Sequence, residues 1–458
     1  MKANNIKSFS VYGLFGTDDI IIPFDKDIKI LIGENGLGKT QVLNLFYYTL
    51  TRNFFRLGEF HFDKLIIEFR NCKPIEITKK SIDKLNKEMF EHPMAKELIH
   101  DIGYSQFEKL RNNFRLNKGN LKGYIRKLED EYRYSSKVFR KVPPHRVFDV
   151  LEELEMMGKK TNSLLNSSEK DILSGITKTD IMYFPTYRRV EEDLHGLGYD
   201  DDELLNQENT LIQFGMDDVQ RRFNIIEGNI NNYIKEGFSK LTSELVNQVF
   251  KDDESPQDNI SNTDFLKDIN ENDIEILLSR TGDQISDSKK NKIRAIILNK
   301  EPQNNDNSLN LLLKKLIEIY SSQKQLDNSV KEFRDICNKY LVNKKVFYDE
   351  SAIKIYIKSD RNEKTIELSK LSSGEKQIIS MFSKIYLSDS ENRFIVLFDE
   401  PELSLSLTWQ KQLLPDILNS KKCDFLLAVT HSPFIFDNEL DTYAIGLSEY
   451  VKPSEVIE

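Results

Sequence analysis

Cysteine is scarce in this chain of 458 residues, which has only Cys72, Cys337 and Cys423. Three thiols so far apart in sequence cannot form a disulfide framework or a cysteine-rich zinc site, so a reducing cytoplasmic location is expected. Long apolar runs are also missing, and none approaches the ~20 residues that a membrane span needs. Residues 1–10 contain no apolar signal core. A secreted or membrane-embedded protein is therefore not expected.

Positive charge is in deficit, since 65 lysines and arginines stand against 74 aspartates and glutamates, for a net charge of −9. A chain this acidic does not coat nucleic acid through bulk charge, although a local basic patch is compatible with the composition. Hydrophobic residues make up 39% and charged residues 30%, which is typical of exposed helices. The length predicts two or three domains.

Apolar patterning divides the chain into three parts. Residues 1–78 read as strands with one helix, residues 79–344 as mostly polar helices, and residues 345–458 as alternating strands and helices. A strand-like patch at 180–185 interrupts the helical part and is predicted to return to the strand-containing parts.

One helical segment has sustained apolar spacing. From Leu309 to Tyr340, apolar residues recur at intervals of three and four, with Gln323 as the one polar exception. This spacing predicts a coiled-coil seam or a helical hairpin. The alternative is a long amphipathic helix that packs on its own domain.

The first motif with a clear chemistry is Gly-Glu-Asn-Gly-Leu-Gly-Lys-Thr at 33–40, which matches GxxxxGK[ST]. It follows an apolar strand and opens a helix, which is the context that a phosphate-binding P-loop requires. The loop amides and the helix N-terminus would surround phosphates. Lys39 is predicted to reach the β- and γ-phosphates of ATP, and Thr40 to ligate Mg²⁺. The predicted nucleotide contacts in this segment are Gly33, Asn35, Gly36, Gly38, Lys39, Thr40 and Gln41.

A second apolar run, Phe394 to Phe398, ends in Asp399 and Glu400. A continuous apolar run is typical of a parallel strand that is buried on both faces. Asp399 at its carboxyl end is predicted to hold the Mg²⁺ shell, and Glu400 to polarise the attacking water. Two acids after an apolar run are common in proteins, and the P-loop is what makes this pair specific.

A serine- and glycine-containing segment, Leu-Ser-Ser-Gly-Glu-Lys-Gln, begins at Leu371 and opens a predicted helix. A hydroxyl and free N–H groups at a helix start form an anion site. The residues predicted to contact nucleotide here are Ser372, Ser373, Gly374 and Glu375. The alternative is an ordinary helix cap, with Ser372 or Ser373 as the N-cap and Glu375 near N3. Both interpretations can hold together.

The order of these motifs resembles the ABC-class ATPases. A further apolar run leads to His431, which matches the switch histidine of that class and is assigned, with Glu400, to catalysis. The segment Pro401 to Ser406 occupies the place of the D-loop, without the terminal aspartate of transporter-type members. The resemblance implies an α/β fold: an ABC-type ATPase head, with a mixed sheet and an antiparallel lobe, interrupted by a long α-helical, partly coiled-coil insertion. It also implies two heads that sandwich ATP, with the signature serine and glycine of one head on the γ-phosphate of the other.

The helical insertion between P-loop and signature spans about 265 residues, far beyond an ordinary connection. This resembles SMC, RecF and OLD-type ATPases and excludes a soluble transporter subunit. About 25 residues follow Pro433, so the TOPRIM nuclease of OLD-type proteins is not expected in this chain. The chain is most similar to the ATPase subunit of PARIS-type phage-defence systems, and next to the Septu-type ATPase. That resemblance implies a slow, homo-oligomeric ATPase with a head-to-head dimer, a separate nuclease effector subunit and a phage-encoded trigger protein.

A second interpretation is a RecF- or SMC-like ATPase that binds DNA directly in repair or maintenance. The segment Lys109 to Arg140 interleaves basic residues with Tyr and Phe, as nucleic-acid surfaces do, but acidic residues are mixed into it. Arg188 and Arg189 could contact phosphate, nucleic acid or a neighbouring subunit, and a surface salt bridge explains them equally well.

Overall fold

The structure is a computed structural model. It describes residues 5–34, 36–70, 72–102, 107, 146–153, 172, 179–185, 215–249, 271–280, 286–299, 307–388 and 393–454. Asn35, Arg188, Arg189 and the basic segment Lys109 to Arg140, all singled out in the sequence, lie outside the described residues.

The chain forms two compact units. One contains Met1–Gln213 and Ser390–Glu458, and the other contains Phe214–Asp389. The sequence-based boundaries after residues 78 and 344 stay a prediction, because contacts within one chain do not establish which segments fold independently.

The elements are numbered in chain order. The strands are β1 (Ile6–Leu14), β2 (Asp18–Pro23), β3 (Ile28–Ile32), β4 (Lys64–Phe69), β5 (Ile75–Thr78), β6 (Thr179–Phe184), β7 (Lys344–Asp349), β8 (Lys354–Ser359), β9 (Thr365–Ile366), β10 (Arg393–Asp399), β11 (Cys423–Thr430), β12 (Ala444–Gly446) and β13 (Val451–Pro453). The helices are α1 (Lys39–Leu50), α2 (Phe54–Leu57), α3 (Lys79–Glu91), α4 (Pro93–Ile102), α5 (Met216–Val249), α6 (Glu271–Arg280), α7 (Asp287–Asn299), α8 (Asn307–Asn338), α9 (Ser373–Leu387) and α10 (Leu407–Asn419).

One sheet of the first unit is antiparallel, with the order β13-β2-β1-β4-β5. In β4 buried and partly exposed side chains alternate: Leu65, Ile67 and Phe69 are buried, and their neighbours are partly exposed. Such alternation is typical of a sheet with one face on the core. After α1, the strands β4 and β5 pair with each other in antiparallel orientation.

The other sheet of this unit is parallel, with the order β12-β3-β11-β10-β6. Strands β10 and β11 are buried almost throughout, as their continuous apolar runs predict. The strand-like patch at 180–185 forms β6, which pairs with β10. The α/β class, with an antiparallel sheet in addition to the parallel one, is confirmed. Since parallel strands end at the same edge, the segments after β3, β10 and β11 come together there.

The core of the first unit joins both sheets to helix α1. The fully buried ring of Phe46 contacts three other rings. Their centroids lie 5.1 Å away for Phe9 of β1, 5.5 Å away for Phe24 and 6.2 Å away for Phe425 of β11. These aromatic contacts fix α1, and with it the loop that precedes α1, against the parallel sheet.

The second unit is mostly helical and includes the antiparallel sheet β7-β8-β9. On α8, the buried side chains of Val330, Phe333 and Cys337 belong to the predicted seam, and α8 packs on α5, α9 and β7. Buried Gln323 accepts a hydrogen bond of 2.7 Å from Arg280. This packing favours the alternative of an amphipathic helix on its own domain, and the coiled coil stays a prediction. Among the described helices none is long and apolar enough to cross a membrane.

Phe46→Ala should lower the free energy of unfolding by about 3–5 kcal/mol, because it leaves a cavity among three other aromatic rings. Chemical denaturation of the purified chain measures this value. Ile21→Ala on β2 is the control, because Ile21 is 37% exposed, and it should cost less than about 1 kcal/mol. Equal losses in the two variants would contradict the assigned core.

Candidate functional site

The loop between β3 and α1 turns on two glycines in the left-handed region. Gly36 has φ +91° and Gly38, the N-cap of α1, has φ +79°. Residues that carry a Cβ rarely adopt this backbone conformation, so the motif needs glycine at both positions. No described atom lies within 4 Å of where a Cβ of Gly36 would be, which leaves room beside the loop backbone for a ligand.

Lys39 is held inside this loop. Its side chain is 5% exposed, and Nζ donates to the backbone oxygens of Gly33 (2.6 Å) and Glu34 (2.8 Å). Burial lowers the pKa of Lys39, whereas the negative charges of Glu400, Asp399 and Glu402 act in the opposite direction. Both of these acceptors are neutral carbonyls of the loop itself, and the ammonium is suited to exchange them for the oxygens of an anion.

Thr40 and Asp399 meet at the edge of the parallel sheet. The Oγ1 atom of Thr40 donates a hydrogen bond of 2.9 Å to Oδ1 of Asp399, which is 3% exposed. Hydroxyl and carboxylate oxygens are ligands that Mg²⁺ prefers, with water and phosphate in its other positions. Within the described ranges no group of three His, Cys, Asp or Glu side chains could hold a metal. The pair fits a magnesium ion whose other ligands are water and phosphate oxygens.

Glu400 and His431 face each other across the ends of β10 and β11. Glu400 has φ +51°, and its backbone N–H donates to the oxygen of Val429 at 2.8 Å. Its Oε1 lies 3.6 Å from Nε2 of His431, and the two side chains are 25% and 32% exposed. A carboxylate that water can reach, beside an imidazole, is suited to accept a proton from water.

Sequence reasoning missed the role of Glu402. Its Oε1 atom accepts from the backbone N–H groups of His431 (2.8 Å) and Ser432 (3.1 Å). Ser432 also donates through Oγ to Oε1 of Gln410 at 2.6 Å. A side chain that bonds to backbone amides has no sequence signature, and the only available sign was an acid two positions after Glu400.

Tyr183 belongs to β6, which pairs with β10 on the side opposite β11. Its hydroxyl donates to Oδ1 of Asn44 at 2.8 Å, and its ring packs on Tyr47 with centroids 4.8 Å apart. Burial, together with the charge of Asp399, raises the pKa of Tyr183.

Phe15 belongs to none of the sequence motifs, yet it lies beside the glycine loop. It has φ +58° and is 45% exposed. Its ring atom Cε2 is 3.0 Å from where a Cβ of Gly38 would be. An exposed aromatic ring at this place offers a flat apolar surface next to the loop.

The serine- and glycine-containing segment lies in the second unit, at the start of α9. Ser372 is the N-cap, its Oγ accepts from the N–H of Glu375 (3.4 Å), and Oε2 of Glu375 accepts from the N–H of Ser372 (2.8 Å). This reciprocal pair is the capping box of the alternative interpretation. Ser373 and Gly374 occupy the first turn, whose N–H groups have no intrahelical acceptor. An anion contact through Ser372, Ser373 and Gly374 stays a prediction.

The carboxylate of Glu375 accepts hydrogen bonds both inside this cap and from Lys344. Lys344 donates to both carboxylate oxygens, at 2.9 and 2.7 Å. Burial alone would raise the pKa of Glu375, but the hydrogen bonds from Lys344 and Ser372 outweigh it, so its pKa is lowered. The predicted nucleotide contact of Glu375 therefore concerns a carboxylate that already has partners.

Comparison with known proteins identifies the family. The model of the AAA_15 family, described as an AAA ATPase domain, matches residues 5–436. The chain belongs to the AAA_15 family of ATPase domains. The match spans the P-loop, the Thr40–Asp399 pair, α9 and His431, and it supports ATPase activity. None of the curated proteins matches it.

Solved structures similar to this AAA_15 chain include heads of Smc proteins. A Smc head bound to the C-winged helix domain of ScpA has 9% identity and a TM-score of 0.33, covering 94% of this chain and 91% of that chain. A Smc head with an extended coiled coil, bound to the C-terminal domain of ScpA from Pyrococcus furiosus, has 11% identity, a TM-score of 0.34 and coverages of 94% and 90%. A Smc head with a coiled coil and joint from Pyrococcus yayanosii has 11% identity, a TM-score of 0.31 and coverages of 94% and 93%. TM-scores this low say nothing about function.

Glu375→Gln should destabilise the AAA_15 chain by about 1 kcal/mol at pH 7, because it removes the charge that Lys344 and the helix start stabilise. A lowered pKa in the folded state means that this stabilisation is present above the unfolded pKa of about 4.3. It is lost as the pH falls through the folded pKa. Denaturation of both proteins between pH 7 and pH 3 should show the difference shrinking. A difference that grows on acidification would contradict the cap.

Proposed function

We propose that the chain is an ABC-type ATPase that binds ATP with Mg²⁺ on the loop at 33–40 and hydrolyses it slowly. The observation that carries this proposal is the Thr40–Asp399 hydrogen bond of 2.9 Å beside buried Lys39. The carboxylate of Asp399 at the end of β10, with the glycine loop, the lysine and the hydroxyl of Thr40 that follow β3, forms the donor set of a P-loop ATPase.

Each residue has one task in this proposal. The ammonium of Lys39 leaves its loop carbonyls for the β- and γ-phosphates, and the amides at Gly36 and Gly38 surround them. Thr40 and Asp399 hold Mg²⁺, which when bound neutralises charge that develops on the phosphates. Glu400 takes a proton from the attacking water, and His431 orients the γ-phosphate.

Glu400 is the preferred base among the three acids near Lys39. Asp399 accepts from Thr40 and is 3% exposed, and Glu402 accepts from two backbone amides and is 9% exposed. The side chain of Glu400 is 25% exposed, so water can reach its carboxylate. A general base must lie within hydrogen-bond reach of the proton it removes.

A second copy of the chain completes the site in this proposal. The resemblance to ABC-class ATPases suggests that Ser372, Ser373 and Gly374 of one copy contact the γ-phosphate held by the other. Support comes from the first turn of α9, where Ser372 is exposed and the N–H groups lack intrahelical acceptors. ATP would hold two heads together, and hydrolysis would release them.

Phe15 is proposed to stack on the adenine ring. Its ring is 45% exposed and adjoins Gly38 of the loop. Stacking of a base on an aromatic side chain contributes about 1–3 kcal/mol. A base held there would leave the triphosphate to run along the glycine loop.

The biological role that we propose is that of an oligomeric sensor or scaffold in a bacterial anti-phage defence system. Its support is the resemblance of Asp399 to Ser406 and Thr430 to Phe436 to the PARIS-type ATPase, and next to the Septu type. The chain would then control a separately encoded nuclease and respond to a phage-encoded trigger protein. Mass spectrometry of co-purifying proteins tests this role. A nuclease subunit would support it, whereas retained DNA without any nuclease would favour the RecF- or SMC-like alternative.

Glu400→Gln should bind ATP as well as the wild type but lose at least about 100-fold in turnover, because it removes the base and leaves the phosphate site intact. Phosphate release measures turnover, and analytical ultracentrifugation with ATP should show more dimer than in the wild type. Normal turnover in this variant would exclude Glu400 as the base.

Ser372→Arg should leave ATP binding by the monomer unchanged and abolish ATP-dependent pairing and turnover, because a long side chain at the start of α9 blocks a partner. Ser372→Ala is the matched control: it loses the hydroxyl and the cap, at about 1 kcal/mol of stability, but adds no bulk that could block a partner, so it should still pair. Pairing and turnover that survive in Ser372→Arg would mean that the segment is a helix cap and nothing more.

Phe15→Ala should weaken ATP binding by about 5–50-fold and leave the affinity for inorganic triphosphate unchanged, because only the base loses its stacking surface. Phe15→Tyr should keep ATP affinity within about two-fold. Competition against a fluorescent nucleotide measures both. An equal loss for ATP and triphosphate would contradict a base contact.

A further inference from the structure

Glu402 links the loop that carries Glu400 to the loop that carries His431. Its side chain is 9% exposed, and Oε1 accepts from the amides of His431 (2.8 Å) and Ser432 (3.1 Å). Hydrogen bonds to a carboxylate are stronger than those between neutral groups. Two of them on consecutive amides fix the backbone at the point where His431 leaves β11, so the place of the imidazole depends on this carboxylate.

Gln410 of α10 reinforces the same link. Its Nε2 donates to the backbone oxygens of Glu402 (3.3 Å) and Leu405 (3.0 Å), and its Oε1 accepts from Oγ of Ser432 (2.6 Å). Glu402 and Ser432 are therefore joined both directly and through Gln410. A displacement of one loop is passed to the other through hydrogen bonds between buried or half-buried groups.

The loop that Glu402 anchors has an unfavourable backbone conformation. Glu400 has φ +51° and Ser404 has φ +65°, which is disfavoured for residues that carry a Cβ. Such a conformation persists only where surrounding bonds hold it. The amide of Glu400 donates to the oxygen of Val429 (2.8 Å), and Glu402, inside this turn, accepts from the amides of His431 and Ser432.

The second oxygen of Glu402, Oε2, is also buried, and it has no hydrogen-bond partner among the described residues. A buried carboxylate oxygen without a partner is rare in proteins.

We propose that Glu402 is a positioning residue that holds His431 beside Glu400, so that ATP hydrolysis depends on it while ATP binding does not. The inference rests on the proposed roles of Glu400 and His431. A merely structural role would instead lower stability and reduce the amount of active protein, without a loss in kcat that depends on His431.

The first test compares Glu402→Ala, Glu402→Gln and the control Glu439→Ala, which changes an exposed glutamate. Glu402→Ala should lower kcat by about 10–100-fold and leave the Kd for ATP within about two-fold. Glu402→Gln keeps an acceptor oxygen for both amides and should recover kcat to within about five-fold of the wild type. Glu439→Ala should match the wild type. An unchanged kcat in folded Glu402→Ala would overturn the proposal.

The second test is a double-mutant cycle with His431→Ala. If Glu402 acts through His431, Glu402→Ala should lower kcat by less than about three-fold in the His431→Ala background. Multiplicative effects would overturn the proposal. Should Glu402→Ala fail to fold, Glu402→Asp takes its place, because its acceptor oxygen is one methylene too short and the same dependence on His431 is expected.

The proposed function and the role of Glu402 would be overturned by different results. A wild-type chain without ATPase activity, or normal turnover in Glu400→Gln, would overturn the proposed function and this inference with it. A different set of results would overturn the role of Glu402 alone. In that case the wild type is active and Glu400→Gln has lost turnover, but Glu402→Ala and His431→Ala lower kcat independently of each other.

Discussion

The hydrogen bond from Thr40 to Asp399 joins two residues that are 359 positions apart in the sequence. It exists because β3, β11 and β10 are neighbours in one parallel sheet and end at the same edge. The loop before α1, the acids after β10 and the histidine after β11 are brought together by this pairing. The rest of the first unit, above all the aromatic core around Phe46, keeps α1 and its loop in place.

The electrostatics of the site follow from the same constraint. Three acids and one buried lysine share the edge of the sheet, and their charges act on Lys39 against the effect of burial. The three acids differ in their surroundings: Asp399 accepts from a hydroxyl, Glu402 accepts from two backbone amides, and Glu400 lies 3.6 Å from the imidazole of His431. Neighbouring carboxylates with different environments are suited to different tasks.

Local pattern predicted the parts of the structure that local sequence determines. The apolar runs at β3, β10 and β11 and the glycine loop before α1 were predictable because burial on both faces and left-handed glycines leave clear marks in sequence. The cap at Ser372 was predictable from the spacing of its serine and glutamate. The contacts of Glu402, the position of Phe15 and the hydrogen bond from Tyr183 to Asn44 were not. They join distant segments through backbone amides or single side chains, which have no periodicity or spacing.

The account depends most on Lys39 as a ligand of phosphate, and equilibrium binding of ATP with and without Mg²⁺ tests this most directly. Lys39→Ala should weaken ATP binding by at least about 100-fold, or about 2.7 kcal/mol. Lys7→Ala, at a lysine whose side chain is 64% exposed, should bind ATP like the wild type. Wild-type affinity should fall when Mg²⁺ is removed. An ATP affinity that Lys39→Ala leaves unchanged would contradict the assignment of this edge of the sheet as the nucleotide site.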